Sequence, residues 1–208
     1  MSTSALICLE GIDGSGTSTQ ARRLGKRLEK LGVRWRVTHF PDYGTPIGKL
    51  IEGFLLHDIR LEARTIRLLY TANRWERASE MERALRKGVV VILDRYSSSN
   101  IAYGVADGLD KKWLEDIENA LPQPSLTILI DLSSREALRR KRRVKKLDRY
   151  EKNIEYVERV RHAYLRLAKE KGWKILDGVK SREELEEEIW DYVNKRLPRR
   201  SIHRDPRP

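Results

Sequence analysis

Apolar residues recur along this chain in two rhythms. Residues 6–9 form an unbroken apolar run of the length a buried strand needs, and Ala21, Leu24, Leu28 and Leu31 then repeat at helical spacing. Over 33–40 the pattern alternates, Val33, Trp35, Val37 and His39 against Arg34, Arg36 and Thr38, which predicts a second strand ended by Pro41 and Gly44. Thr45 and Pro46 supply a cap and a first helical residue for a helix carrying Ile47, Leu50, Ile51 and Leu55. One long helix is predicted over 61–85, with Ile66, Leu69, Ala72, Ala84 and Leu85 inward. The β-branched run at 89–93 has the signature of a central parallel strand covered on both faces. Beyond it come a helix through Asn100 and Tyr103, a short one over 111–120, and a fourth strand over 126–132 closed by the cap Ser133-Ser134. A helix from Arg135, another bearing Val157, Val160, Tyr164, Leu167 and Ala168, and a fifth strand over 174–176 follow. The capping box at Ser181 and Glu184 opens a last helix with Leu185, Ile189 and Val193 inward. The order βα, βαα, βαα, βαα, βα predicts an α/β fold: a five-stranded parallel sheet with helices on both faces.

Composition narrows the picture. The 208 residues suit one domain, placed over 1–197, with a basic, proline-rich and disordered tail over 198–208. No apolar stretch approaches the roughly 20 residues of a membrane span and the first residues lack a signal-peptide layout, so a cytoplasmic protein is expected. Cys8, the only cysteine, lies in the first strand and reads as a small buried hydrophobe. The net charge of +12 is concentrated, with nine basic residues between Arg135 and Arg149 and six between Lys195 and Arg207. That distribution keeps nucleic-acid binding as a rival reading and not the main one. Abundant Arg, Lys and Glu beside one Cys also fits a thermophile.

The candidate chemistry starts where the first strand ends. Gly11-Ile12-Asp13-Gly14-Ser15-Gly16-Thr17-Ser18 joins a strand to a helix, and such a turn wraps phosphate with converging N–H groups and the helix N-terminus. The spacing Gly11-x4-Gly16-x-Ser18 is that of a P-loop, whose last hydroxyl ligates Mg²⁺. Thr17 stands where the motif carries lysine. Asp94 and Arg95 close the central strand, at the end where ligands bind open α/β sheets. Tyr70 and Arg74, four apart, share one helix surface.

Six stretches in register resemble the thymidylate kinase family. They are residues 10–16, Phe40-Pro41 with Thr45-x-Ile47-Gly48, residues 68–74, residues 94–103, Asp148-Arg149-Tyr150-Glu151, and Val160-Arg161-x-x-Tyr164-x-x-Leu167-Ala168. The resemblance implies a three-layer P-loop kinase fold with an arginine-rich lid over about 135–150, a homodimer, and Mg²⁺-dependent phosphoryl transfer from ATP to dTMP. It assigns the ATP phosphates to Gly11, Ile12, Asp13, Gly14, Ser15, Gly16, Thr17, Ser18 and Thr19, and Mg²⁺ to Ser18 and Asp94. Asp13, Phe40, Pro41, Tyr43, Tyr70, Arg74, Arg95, Ser99, Asn100, Tyr103 and Tyr164 would line the dTMP site. Within it Tyr70 would stack on thymine, Arg74 would bond the base edge, Arg95 would grip the acceptor phosphate, and Tyr103 would disfavour a ribose hydroxyl.

Thr17 departs from the family pattern, and loss of a positioned cation costs roughly 3–4 kcal/mol on the scale of single electrostatic stabilisers. The lid offers replacements, and Arg139, Arg142, Arg143 or Arg149 is expected to join Asp13, Asp94 and Arg95 in catalysis. The rivals are a kinase of different or broader acceptor range, a nucleotide-binding paralogue with weakened catalysis, and a nucleic-acid binder built on the lid and tail.

Overall fold

The computed structural model describes residues 4–56, 58–141, 150 and 153–197. Five parallel strands, β1 (Ala5–Glu10), β2 (Trp35–His39), β3 (Val90–Asp94), β4 (Leu126–Asp131) and β5 (Lys174–Asp177), form one sheet in the order β2-β3-β1-β4-β5. Among the described residues the helices are α1 (Thr17–Lys30), α2 (Pro46–Leu55), α3 (Ala63–Arg86), α4 (Ser97–Ala106), α5 (Lys111–Glu118), α6 (Ser134–Lys141), α7 (Ile154–Lys171) and α8 (Arg182–Asn194). The expected five-stranded α/β architecture is the one found. Expectations about the 198–208 tail and the lid's Arg142, Arg143 and Arg149 lie outside the described residues.

Alternation along the central strands builds the core on both faces. Ile7 and Leu9 of β1, with Val90 and Ile92 of β3, pack under Ala21, Leu24 and Leu28 of α1 and under Leu185, Ile189 and Val193 of α8. On the opposite face Leu6, Cys8, Val91 and Leu93 meet Ala78 and Met81 of α3, with Phe40 and Tyr96. Cys8 is fully buried, and burial pushes its thiol well above the ordinary range, as a structural role requires. A third cluster joins α4 to α7 through Ala102, Val160 and Tyr164.

Local chemistry fixes the ends. Thr45 Oγ1 accepts from the Gly48 N–H with Pro46 next to it, Ser133 Oγ accepts from the Glu136 N–H, and Ser181 with Glu184 closes the expected capping box. Two expectations need correction. Strand β2 begins at Trp35, not Val33, because the Val33 N–H is spent on the Leu28 carbonyl to finish α1, where Leu31 is left 57% exposed. The inward face of α3 is Ile66, Arg67, Thr71, Asn73, Arg74, Ala78 and Met81, while Leu69, Ala72, Ala84 and Leu85 are only partly buried. Arg67, Tyr70 and Arg74 of that helix line a cavity rather than the apolar core, so the apolar positions mispredict its buried side.

Candidate active site

The carboxyl ends of β1, β2 and β3 open into a cavity of about 620 Å³. Its first wall is the glycine-rich loop. Gly11, Gly14 and Gly16 all have positive φ, and a Cβ at Gly11 would lie 2.5 Å from Ser15 Oγ and 2.7 Å from the Ile130 carbonyl. The loop therefore closes only with glycine. Gly16 caps α1, so the free N–H groups of that helix's first turn face the loop's concavity, an arrangement suited to phosphate. Ile12 is buried in the core, Ser15 Oγ is buried without a partner, Thr17 is 5% exposed, and Thr19 lies on the first turn of α1.

Asp94, at the end of β3, gathers the second wall. Ser18 Oγ donates to its Oδ2, and His39 Nδ1 lies 2.8 Å from the same atom. Burial would raise the Asp94 carboxyl, but hydrogen bonds from His39, Ser18 and Thr17 hold it below the usual carboxylate range. Asp94 Oδ1 is buried without a partner. A hydroxyl beside an unsatisfied carboxylate oxygen fits Mg²⁺, which keeps most of its ligands from water and phosphate. No cluster of three or more His, Cys, Asp or Glu suited to a metal occurs among the described residues, so the ion would depend on a bound nucleotide for its remaining ligands.

Arg95 follows in the left-handed region at φ 68°, its N–H held by the Leu9 carbonyl at 2.9 Å. That strained backbone turns the guanidinium onto Asp13, Nη2 to Oδ1 at 2.9 Å. Tyr103 Oη also reaches Asp13 at 3.4 Å, and Lys141 Nζ at 3.5 Å. Burial pushes the Asp13 carboxyl up, yet Arg95 and Lys141 hold it below the ordinary range; the same pairing keeps Arg95 charged against its own burial.

The third wall carries aromatic and amide groups. Phe40, Pro41, Tyr43, Tyr70, Arg74, Ser99, Asn100 and Tyr103 line the cavity with Arg95, so the structure brings together ten of the eleven residues assigned to dTMP, counting Asp13. The Phe40–Pro41 peptide is cis. Tyr164 is the exception: it is 1% exposed beneath the cavity, where its hydroxyl bonds Ser99 at 2.7 Å and Glu10 at 3.1 Å. Arg139 is also elsewhere, 57% exposed at its side chain and paired with Glu136 at 2.6 Å.

Several side chains of the site escaped the sequence reading. Arg67, one turn before Thr71 on α3, is 1% exposed, pairs with Asp107 at 3.2 Å, donates to Tyr150 Oη and lies over the Tyr70 ring at 5.1 Å. Its position at three and seven residues before Tyr70 and Arg74 was a legible helical signal. Glu118, on α5, is 3% exposed and accepts from Thr71, Arg74 and Asn100. Nothing in its local sequence marks it. Glu10 takes the Tyr96 N–H at 3.0 Å and the Ser99 hydroxyl at 2.7 Å, and so braces the loop after β3.

Comparison with known proteins agrees with this geometry. The family model described as thymidylate kinase matches residues 9–189. Thymidylate kinase of Schizosaccharomyces pombe is 38% identical over 194 residues, covering 91% of this chain and 91% of that one. That of Arabidopsis thaliana is 38% identical over 189 residues, covering 91% of this chain and 70% of the relative. A probable thymidylate kinase of Pyrococcus horikoshii is 37% identical over 198 residues, covering 92% and 96%. The solved thymidylate kinase of Candida albicans superposes with a TM-score of 0.80 at 31% identity, over 94% of this chain and 93% of that one. A glycine-rich loop facing Asp94, Arg95 and a tyrosine-lined cavity is thus found on a chain whose sequence and fold both place it in the thymidylate kinase family.

Proposed function

We propose that the protein transfers the terminal phosphoryl group of ATP to dTMP, giving dTDP and ADP. The observation that carries this reading is one continuous cavity lined by Asp13, Ser18, Asp94 and Arg95 and also by Tyr70, Asn100 and Tyr103, so that anion-binding and base-binding groups serve one ligand pair. An oxygen of the dTMP phosphate forms a bond to the γ-phosphorus as the bond from that phosphorus to the β,γ-bridging oxygen breaks, and the electron pair leaves with ADP. The acceptor is already anionic, so the reaction does not require a general base. Bound Mg²⁺ would neutralise charge on the ATP phosphates. The chain's own part is positional: glycine-loop N–H groups hold the donor, Ser18 and Asp94 present oxygen ligands, and Arg95 offers its planar fork to the acceptor phosphate. Tyr70 supplies an aromatic face and Asn100 an amide for the pyrimidine. A cation outside the loop makes up for Thr17.

We read the enzyme as a cytoplasmic homodimer. Leu68 and Trp75, seven apart on α3 and 48% and 46% exposed, offer apolar surface to a second copy. No helix among the described residues is long and apolar enough to cross a membrane. Ion pairs from Arg23 and Arg27 of α1 to Glu183, Glu186 and Glu187 of α8 support a thermophilic origin.

A coupled assay with ATP, Mg²⁺ and a panel of nucleoside monophosphates tests the reading. Turnover is expected with dTMP foremost. Preference for another monophosphate would move the assignment to a kinase of different acceptor range, and no turnover with any of them would favour a nucleotide-binding paralogue.

A further inference from the structure

Thr17 leaves the glycine-rich loop without the ammonium that a phosphate-binding loop carries. An ammonium nonetheless stands beside the loop. Lys141, the last residue of α6, places Nζ 3.5 Å from Asp13 Oδ1, the same oxygen that takes Arg95 Nη2 at 2.9 Å. The backbone explains how it arrives there. Gly14 has φ +86°, and a Cβ on it would lie 2.9 Å from the Ala137 carbonyl oxygen, so only glycine lets the α6 backbone rest on the loop. Lys141 follows Ala137 by one turn on the same helix face. The contact that seats α6 therefore also delivers Lys141 to Asp13. The neighbouring arginines of α6 do not do this, since Arg139 and Arg140 are both paired with Glu136.

We infer that Lys141 is the catalytic cation that Thr17 fails to supply, donating from Nζ to the oxygens of the phosphoryl group in transfer. The inference rests on the kinase reading above. Asp13 holds the ammonium between the loop assigned to the donor phosphates and the guanidinium assigned to the acceptor phosphate, which is where the transferred group must pass. Positioned positive charge is what accelerates phosphoryl transfer. A lysine on its flexible stem exchanges one carboxylate oxygen for a more highly charged phosphate without moving its helix.

The test is steady-state kinetics with ATP, Mg²⁺ and dTMP on the unmodified protein, Lys141→Met, Lys141→Arg, Thr17→Lys, and the double variant Thr17→Lys with Lys141→Met. Lys141→Met is expected to lower kcat by about 100-fold, the scale of one electrostatic stabiliser, with the KM for dTMP within about threefold. Lys141→Arg should keep most of the rate, and Thr17→Lys should restore kcat in the double variant. A thermal melt of Lys141→Met matching the parent separates lost charge from lost fold. An unchanged kcat in Lys141→Met overturns the inference, and so does a slow double variant beside an active Thr17→Lys single variant, because Lys141 would then have some other task. Failure of the kinase reading looks different: the unmodified protein itself would turn over no monophosphate.

Discussion

The guanidinium of Arg74 is held from behind by Glu118, Nη1 to Oε1 at 3.2 Å, with both side chains almost wholly buried, and its Nη2 donates to the Tyr96 carbonyl at 2.7 Å. Glu118 is thus the counter-ion of a buried charge in the wall of the cavity. Removing one partner of such a pair strands the other, at a cost of about 3–5 kcal/mol. Glu118→Ala is expected to lower the melting temperature by roughly 6–20 °C, at about 2–4 °C per kcal/mol for a chain of this size. Glu118→Gln keeps an acceptor for Arg74 and should lose about half as much. Equal melting temperatures for the parent and Glu118→Ala would show that the pair carries no such weight.

Glu118 also sets the Asn100 amide. Asn100 Nδ2 lies 2.6 Å from Glu118 Oε1 and 3.0 Å from the Arg67 carbonyl, both acceptors, while Oδ1 has one long contact from Arg67 at 3.5 Å. The amide oxygen therefore keeps acceptor capacity toward a ligand, which suits the N3–H of thymine or uracil and opposes the N3 lone pair of cytosine. We expect kcat/KM for dCMP about 100-fold below that for dTMP, the upper end of the roughly 1–3 kcal/mol cost of leaving a buried polar group unpaired. Competition kinetics with the two monophosphates measure the ratio, and near-equal values would remove Asn100 from base selection.

These two networks mark where the sequence was readable. Strand runs, caps and the glycine loop are local patterns, so the strands and helices of the described residues followed from spacing with ends shifted by a residue or two, as at Val33. The residues that line the cavity were legible as motif members because Asp94, Arg95, Asn100 and Tyr103 lie in one short stretch. Glu118 and Lys141 were not, since each is one charge on an ordinary helix and acquires its meaning from a neighbour far away in sequence: Arg74 for the first, Asp13 for the second. The same limit applies at Arg139, because a basic run does not reveal which of its members pairs with Glu136.

Glu10 gives the folded state a distinctive pH response. Burial pushes its carboxyl above the ordinary range, more strongly than the hydrogen bonds from Ser99 and Tyr164 and the charge of Arg95 pull it down. The folded protein therefore holds this proton where the unfolded chain has lost it, so stability from Glu10 is full below the unfolded value and falls as pH rises through the folded one. Urea melts of the parent and Glu10→Gln across pH 4 to 8 (about the range in which carboxylates and histidine titrate) are expected to show the parent losing ground relative to the variant as pH rises, then a constant difference. A difference that does not vary with pH would mean Glu10 titrates alike in both states.

Gly14 and Gly172 allow the cost of a left-handed backbone to be separated from the cost of displacing α6. Both have positive φ, but a Cβ at Gly172, which caps α7, meets nothing within 4 Å, whereas one at Gly14 collides with the Ala137 carbonyl at 2.9 Å. Gly172→Ala should therefore lose only the conformational term of about 1–2 kcal/mol and keep its full rate. Gly14→Ala bears that term and must also lift α6 from the loop, carrying Lys141 away from Asp13. We expect it to lose more stability than Gly172→Ala and to slow phosphoryl transfer by about tenfold or more, on the scale at which a misplaced catalytic group costs rate. Melting temperatures and kcat measured side by side decide the matter: if the two variants lose rate equally, the contact between Gly14 and Ala137 does not position the chemistry.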